Sequence, residues 1–393
     1  MYIEQDITDV AVGAYIEKIT FQTGSFRLTQ AEWVKSEIVI NKLIELGIKR
    51  VLVDTEKFDA QMAAGAVARG NSTKNDEKHK YKERVTQAKA LISTSKDVQK
   101  KLFKHIEEGL EIDLCSVKTL TTELIDTLFT NSDALMCAIN IRNKDEYLLE
   151  HSFAVSMLMA LFARYIGIEK ATIRELAIGA FLHDIGKIRT PDEILNKPGK
   201  LTVDEFAVMK LHVNHSIDII KSIPGISKTS LDVAAQHHEK LNGGGYPLGL
   251  SGQQISKYGR MLSICDIYDA LTANRCYKEG STQLKAFGIL RSLAQDGQLD
   301  LSLVHAFIKC MGIYPVGSLV KLNSNRLAIV EGYNHADPIR PKVNSFYCLN
   351  TKDFELSNKI DLSMVEDEIS SSVRADDFDL DMEEIMRFLV SEA

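Results

Sequence analysis

What this sequence lacks narrows it first. Its six cysteines are scattered, at Cys115, Cys137, Cys265, Cys276, Cys310 and Cys348, and no Cys-x-x-Cys pair occurs. That spacing argues against a zinc ribbon and a disulfide framework and fits reduced thiols in a cytosol. Basic residues are in deficit: 47 Lys and Arg stand against 54 Asp and Glu, a formal net charge of -7. Proteins that grip DNA or RNA polymers carry a basic stripe, so no polymer partner is expected. A small phosphate ligand is still allowed, because binding depends on local charge. Long apolar runs are also missing. The most apolar stretch, "FAVSMLMALFARYIG", is interrupted by Arg164 and is too short and polar to span a bilayer. The acidic start, "MYIEQDITDV", has no apolar core of signal-peptide type. The expectation is a cytoplasmic protein without membrane contact.

What is present is enough for a substantial core. The chain has 393 residues, 45% hydrophobic and 26% charged, which suggests two or three globular domains. Residues 1–56 read as a small α+β domain. "VAVGAYIEKITF" alternates like a strand, residues 30–46 follow a helical period that includes Trp33, and "RVLVDT" reads as another strand. Residues 57–125 read as a polar, charged linker followed by connecting helices. From about 83 to 312 nearly every segment carries an apolar stripe at spacing three to four, as in "TIRELAIGAFLHDI" and "GRMLSICDIYDALT". After Tyr314-Pro315, "GSLVKL", "RLAIVEGYN" and "KVNSFYCLN" read as short strands. The last stretch, "EDEISSSVRADDFDLDMEE", reads as acidic and loose or weakly helical.

Chemistry gathers in the helical part. Six of the ten histidines lie from His151 to His238. They run His151, His183 beside Asp184, His212 and His215, then His237-His238, followed by Asp266 in "CDIYDALT". A helical bundle can bring such side chains from facing helices to one interior point. His183-Asp184 falls near the end of an apolar helix, which Gly186 is expected to break. Burying imidazole and carboxylate there unpaired would cost several kcal/mol, on the order of the penalty for unsatisfied polar groups; a metal ion removes that cost. Imidazole plus carboxylate without thiolate suits Fe, Mn, Ni, Co or Zn better than Mg or Ca. So many ligand candidates exceed one tetrahedral site and suit two metals sharing a bridging carboxylate, the usual device for phosphoester attack. Neighbours on a helix point about 100° apart, so His237 and His238 could each serve a different metal, with the aspartate beside His183 as the bridge. His105 and His305, isolated on helices, read as ordinary structural histidines.

Four motifs carry a resemblance: "HDIGK" (183–187), "PDEILNKPGKLT" (191–202), "HHEKLNGGGYP" (237–247) and "DIYDALTANRCYK" (266–278). Over residues 126–312 the chain resembles the HD-GYP family, a subgroup of HD-domain metal-dependent phosphohydrolases. Residues 1–56 resemble the small domain of unknown function that often precedes HD-GYP domains, and residues 313–393 resemble the short β-rich extension that follows them. The fold so implied is mainly α, a helical HD-type bundle with a small α+β N-terminal domain and a β-rich C-terminal extension. The activity implied is hydrolysis of a 3′,5′-cyclic dinucleotide, most typically cyclic di-GMP to pGpG and GMP, with cyclic GMP-AMP left open as substrate.

The resemblance puts metal ligands at His151, His183, Asp184, His212, His237, His238 and Asp266. It implies two divalent transition metals, Fe or Mn first, with Ni, Co or Zn as alternatives. Lys187 matches the lysine that reaches the scissile phosphate, and Arg275 and Lys278 match residues that hold substrate phosphates. Gly245, Tyr246 and Pro247 form the name-giving loop, which borders the site and could dock a diguanylate-cyclase-type or other signalling protein. A homodimer is left open. Where some members carry a third-metal glutamate four residues before the first histidine, this chain has Tyr147, with Glu146 and Glu150 out of register. The loop, usually Asp-Gly-Ser-Gly-Tyr-Pro, here begins Asn242-Gly243-Gly244, a change that could loosen it. His215 reads as structural or as a group supporting a ligand, Asp269 as an orienting group, and Glu239 as an acceptor for a ligand histidine. The competing reading is a catalytically silent module that binds a cyclic dinucleotide or a partner through the Gly-Tyr-Pro loop.

Overall fold

The computed structural model describes residues 2–10, 14–23, 31–34, 40, 43–44, 46–58, 86–87, 89–130, 132, 136, 147–273, 280–334 and 337–392. The chain divides into two compact units, residues 1–81 and 82–393. The linker expected over 57–82 lies almost wholly outside the described residues.

The first unit is a four-stranded antiparallel sheet in the order β1-β4-β2-β3, with β1 (Tyr2–Asp6), β2 (Ala14–Gln22), β3 (Glu32–Trp33) and β4 (Ile48–Phe58). Alternation in β4 buries Val51 and Val53 on one face with Ile16 of β2. The helix expected over 30–46 is corrected at its start. Trp33 lies in a strand, because it pairs with Tyr15 of β2, the two rings 5.0 Å apart edge to face. A cross-strand aromatic pair of this kind outweighs a helical period in isolated sequence. Among residues 35–46, the helical positions described are 40, 43 and 44.

The second unit is mainly helical. After a helical stretch at 89–107 come α1 (Leu114–Thr130), α2 (Tyr147–Tyr165), α3 (Lys170–Leu182), α4 (Val203–Lys221), α5 (Lys228–Gln236), α6 (Lys257–Thr272), α7 (Gln283–Gln295) and α8 (Leu301–Met311). Every residue from His151 to Ala160 is buried. A helix apolar all round belongs at the centre of a bundle, and α2 packs against α3, α6, α1 and α8. Polar caps start the neighbouring helices. Thr202 and Glu205 form a reciprocal capping box on α4, and Ser227, Ser256 and Asp300 cap α5, α6 and α8.

Two glycines set how closely these elements approach. A Cβ on Gly179 of α3 would strike the backbone of Ser230 in α5. A Cβ on Gly186 would strike the backbone of His212 and Ser216 in α4, and the Gly186 N–H instead donates to Ser216 Oγ at 2.8 Å. Small residues therefore bring α4 and α5 against the chain that carries His183 and Asp184.

The C-terminal part is a five-stranded antiparallel sheet in the order β8-β7-β6-β5-β9, with β5 (Leu319–Leu322), β6 (Arg326–Gly332), β7 (Lys342–Cys348), β8 (Asp353–Asp361) and β9 (Ile369–Ser372). It docks on the bundle through Tyr333 OH donating to the Met311 carbonyl and Arg374 Nη1 donating to the Gly280 carbonyl. The loose acidic tail is corrected. Residues 369–372 pair with β5 as an edge strand, and α9 (Met382–Glu392) buries Ile385, Met386 and Leu389. Among the described residues no helix is long and apolar enough to cross a membrane.

Candidate metal centre

The motif histidines and aspartates arrive from three helices and two helix ends. His151 is in the first turns of α2. His183 is the C-cap of α3, which ends at Leu182, four residues before Gly186. Asp184 follows at φ -103°, ψ 7°, outside the helix. His212 comes from α4 and Asp266 from α6. His237 is the C-cap of α5, so the two adjacent histidines sit where the helix stops and the 100° rule no longer applies. Their rings lie 4.1 Å apart.

The potential ligand atoms form two groups, each with members within 4.8 Å of one another: Asp184, His212, His237 and His238, and His151, His183 and Asp266. Asp184 faces both. Its Oδ1 lies 3.2 Å from His212 Nε2 and 3.9 Å from His237 Nε2, while its Oδ2 lies 3.4 Å from His151 Nε2 and from His183 Nε2. Asp266 Oδ1 is 3.1 Å from His151 Nε2, and its Oδ2 is 3.9 Å from His238 Nδ1. The two neighbouring histidines fall in one group instead of dividing between two, although His238 also faces Asp266. His215 belongs to neither group.

Each ring is aimed by a bond on its far side. His183, His212 and His237 turn Nδ1 to the carbonyls of Ala180, Met209 and Ala234, each at 2.6 Å, three residues back. His151 Nδ1 lies 2.7 Å from Asp269 Oδ2. If Nδ1 carries the proton in these bonds, Nε2 presents its lone pair to the centre. Those inward atoms are what tests the fit. His183 Nε2, His212 Nε2, His237 Nε2 and Asp184 Oδ1 are buried with no hydrogen-bond partner. A buried unsatisfied polar group costs about 1–3 kcal/mol, and four converge here. Cations seated in the two groups would satisfy all four, so the donor set fits metal ions.

Charge tells the same story. Burial alone would raise the Asp184 carboxyl, but Lys187, His183 and His151 outweigh it and hold it well below the ordinary carboxylate range. Asp266 behaves likewise, with His151 and His183 as the main opponents of burial. Burial pushes His238 down to about 3 despite Asp266, and burial with His238 and His183 drives His237 down as well. These two rings are neutral at pH 7, the form that ligates metals. His183 goes the other way, to about 9, because Asp184 and Asp266 overcome its burial. The aspartates thus demand a positive charge between them. Lys187 Nζ is in contact with Asp184 Oδ2.

The Gly-Tyr-Pro loop walls one side. The Tyr246 ring lies 4.7 Å from His238 and 6.3 Å from His212. Burial, with Asp184 and Asp266 nearby, raises its phenol, which stays neutral. Of the three consecutive glycines, Gly243 takes positive φ, at 76°. Gly245 is needed for a different reason: a Cβ there would strike the backbone of His238, Glu239 and Lys240. The loop is tied down. Asn242 Oδ1 accepts from Gly244 N at 3.0 Å, and Leu241 N donates to the Gln298 carbonyl. The expectation for Glu239 is corrected here. Among the described residues its buried carboxylate supports no histidine but accepts from Leu248 N at 2.8 Å and Leu250 N at 2.9 Å.

Other expectations resolve simply. Glu150, out of register for a third metal, is 2.6 Å from Lys96 Nζ. The side chains of Glu146 and Tyr147, and all of Arg275 and Lys278, lie outside the described residues. His305 is exposed on α8, and His105 Nδ1 contacts the Glu111 carbonyl. Cys115, Cys265, Cys310 and Cys348 are free, while Cys137 and Cys276 are outside the described residues.

Comparison with known proteins leads to the same place. Residues 136–303 match the HD domain family, and residues 2–117 match a domain of unknown function, DUF3391. The cyclic di-GMP phosphodiesterase PA4108 of Pseudomonas aeruginosa is 33% identical over 347 residues, 86% of this chain and 82% of that protein. The 3'3'-cGAMP-specific phosphodiesterase 1 of Vibrio cholerae is 32% identical over 178 residues, 45% of this chain and 41% of that protein, so the chain spans less than half its length. Among solved structures, Bd1817, an HDG"Y"P protein from Bdellovibrio bacteriovorus, matches with a TM-score of 0.50 at 18% identity, over 79% of this chain and 99% of that one. That last likeness speaks to fold alone. With the ligand cluster, the loop and a relative matched over most of both lengths, the chain belongs to the HD-GYP family of HD-domain phosphodiesterases, with a DUF3391 domain ahead of its helical domain.

Proposed function

We propose that this chain hydrolyses a 3′,5′-cyclic dinucleotide that contains guanine, cyclic di-GMP or 3′,3′-cyclic GMP-AMP, opening the ring to a linear dinucleotide such as pGpG and onward to GMP. The observation that carries this reading is the pair of ligand groups that Asp184 faces with its two carboxylate oxygens, together with four buried, unpartnered polar atoms among them. The names of the relatives from Pseudomonas and Vibrio supply the substrate class.

In this reading His151, His183 and Asp266 would hold one divalent transition ion and His212, His237 and His238 a second, with Asp184 available to both groups. Fe or Mn suits the imidazole and carboxylate donors, with Ni, Co or Zn as alternatives. When bound, such ions lower the pKa of a water and neutralise phosphodiester charge. The residues of the chain do the rest. Asp184 stays ionised and anchors both groups. Lys187, already beside Asp184, places its ammonium where a non-bridging phosphate oxygen gathers charge. Tyr246 keeps a neutral ring against His238 and limits water on that side. Arg275 and Lys278 are assigned to the substrate phosphates by their place in the motif. A cytoplasmic setting fits the free thiols and the guanine dinucleotide substrate.

The test is turnover of cyclic di-GMP and 3′,3′-cyclic GMP-AMP by protein loaded with Fe(II) or Mn(II), beside a His183→Ala/Asp184→Ala control. Metal-dependent linear product, absent in the control, is expected. No product from either substrate, with metal confirmed bound, contradicts the reading.

A further inference from the structure

The chemistry described so far handles a phosphate and leaves the bases unread. Next to the metal centre stands a platform that no motif above explains. Phe206 of α4 is 47% exposed, and Val203, one turn earlier, is 86% exposed. The Phe206 ring meets Tyr246 edge to face at 6.4 Å, and Tyr246 in turn meets His238 at 4.7 Å. A single ring thus separates Phe206 from the ligand histidines, a path comparable to that from a nucleotide's phosphate to the far edge of its base. Lys210, one turn after Phe206, holds Nζ 5.4 Å from the Phe206 ring centre and 6.0 Å from that of Tyr246. Among the described residues no carboxylate lies within ion-pair distance of it, whereas nearby Lys187 and Lys197 are engaged with Asp184 and Glu205.

We propose that Phe206 and Lys210, with Tyr246 between them and the metal centre, form a guanine-reading subsite for the cyclic dinucleotide; this rests on the function proposed above. One purine packs its face on the exposed Phe206 ring, and the Lys210 ammonium donates to the guanine O6 and N7. Aromatic side chains accept any base by stacking, since every base has a π face, so Phe206 alone gives affinity without choice. Lys210 supplies the choice. An ammonium has donors only, and guanine offers two acceptors on that edge, whereas adenine sets an amino donor beside its N7. The cyclic dinucleotides named for the two relatives both carry guanine, in keeping with such a reader. The assignment also gives a reason for an exposed apolar ring and a cation with no carboxylate partner among the described residues to stand at the edge of a polar site.

The experiment compares metal-loaded wild type with Lys210→Met, Lys210→Arg and Phe206→Leu, using cyclic di-GMP, 3′,3′-cyclic GMP-AMP and cyclic di-AMP. All three substitutions fall on partly exposed side chains, and thermal melts with metal content check that each variant is intact. Lys210→Met is expected to lower the ratio of kcat/KM for cyclic di-GMP over cyclic di-AMP about 10-fold, the scale of one base-reading hydrogen-bond pair. Lys210→Arg should keep most of that ratio. Phe206→Leu should raise KM for all three substrates alike. A wild-type ratio near one, or an unchanged ratio in Lys210→Met, overturns the assignment. A loss equal for all substrates in Lys210→Met would show a structural role and overturns it too. If the wild type cleaves bis(p-nitrophenyl) phosphate but no cyclic dinucleotide, the functional reading itself has failed and takes this assignment with it.

Discussion

His151 Nδ1 lies 2.7 Å from Asp269 Oδ2, joining α2 to α6 across 118 residues of sequence. The bond leaves His151 Nε2 facing Asp184 and Asp266, at 3.4 and 3.1 Å. Asp269 is fully buried, and under the proposed function it would act on the centre by orienting His151. Losing such a support typically costs about 10–100-fold in metal affinity. Asp269→Asn should therefore weaken metal binding by that order with helical content unchanged, as read by chelator competition and circular dichroism. Wild-type affinity in the variant would assign Asp269 to packing alone.

Glu239 governs the loop in a different way. Its carboxylate accepts two backbone N–H groups, from Leu248 and Leu250. Glutamine keeps one acceptor and sets an amide donor against the other N–H, at a cost of about 1–3 kcal/mol. Glu239→Gln should raise protease cleavage within residues 242–250 and lower kcat/KM about 10-fold, while bound metal stays at wild-type stoichiometry. Equal protease resistance in the two proteins would remove the clamp from the account.

Two alanine substitutions separate close approach from helix propensity. Gly186→Ala drives a methyl into the backbone of His212 and Ser216. Overpacking of this kind costs about 1–3 kcal/mol, and here it also moves His212 off Asp184, so both Tm and metal content should fall. Gly288, within α7, has open space where its Cβ would go. Gly288→Ala should leave metal content alone and stabilise by about 0.5–1 kcal/mol through helix propensity. Similar melts for the two variants would contradict the packing argument.

Acid sensitivity follows from Asp300. Burial would raise its carboxyl, but bonds from Ser302 and Leu303 and the Arg260 guanidinium at 2.9 Å leave it lowered. A lowered folded-state pKa means stability that is full above the ordinary carboxylate value and is lost as pH falls through the folded one. Asp300→Asn keeps a capping side chain and loses the charge, so it should cost about 0.5–1 kcal/mol at pH 7. In thermal melts the gap from wild type should close as pH drops below the ordinary carboxylate range near 4. A gap that persists unchanged at low pH would show that charge is not the source.

The site was legible where residue type is itself the chemistry. Histidine and aspartate at the end of an apolar helix, and adjacent histidines before a glycine run, point to a metal centre, although α3 stops at Leu182, ahead of the Gly186 expected to break it. The sequence does not display which nitrogen of a ring faces inward, because that depends on carbonyls three residues back and on Asp269 from another helix. Nor does it display that Glu239 ties a loop, since its partners are backbone N–H groups 9 and 11 residues ahead. In the fold, apolar stripes in the helices stood out because burial imposes a 3.6-residue period. Trp33 misled because a two-residue strand is fixed by its partner Tyr15 and not by its own pattern. The polar edge strand β9, half exposed, carries no alternation strong enough to read.

The central claim is that Asp184 joins two metal-binding groups, one on each carboxylate oxygen. Metal stoichiometry measured by inductively coupled plasma mass spectrometry, on wild type and Asp184→Ala loaded identically with Mn(II), tests it most directly. The account predicts about two ions per chain in the wild type, the number expected of a shared-carboxylate phosphoesterase site, and loss of both in the variant with its melting transition retained. A wild type that holds one ion, or an Asp184→Ala protein that still holds two, would contradict it.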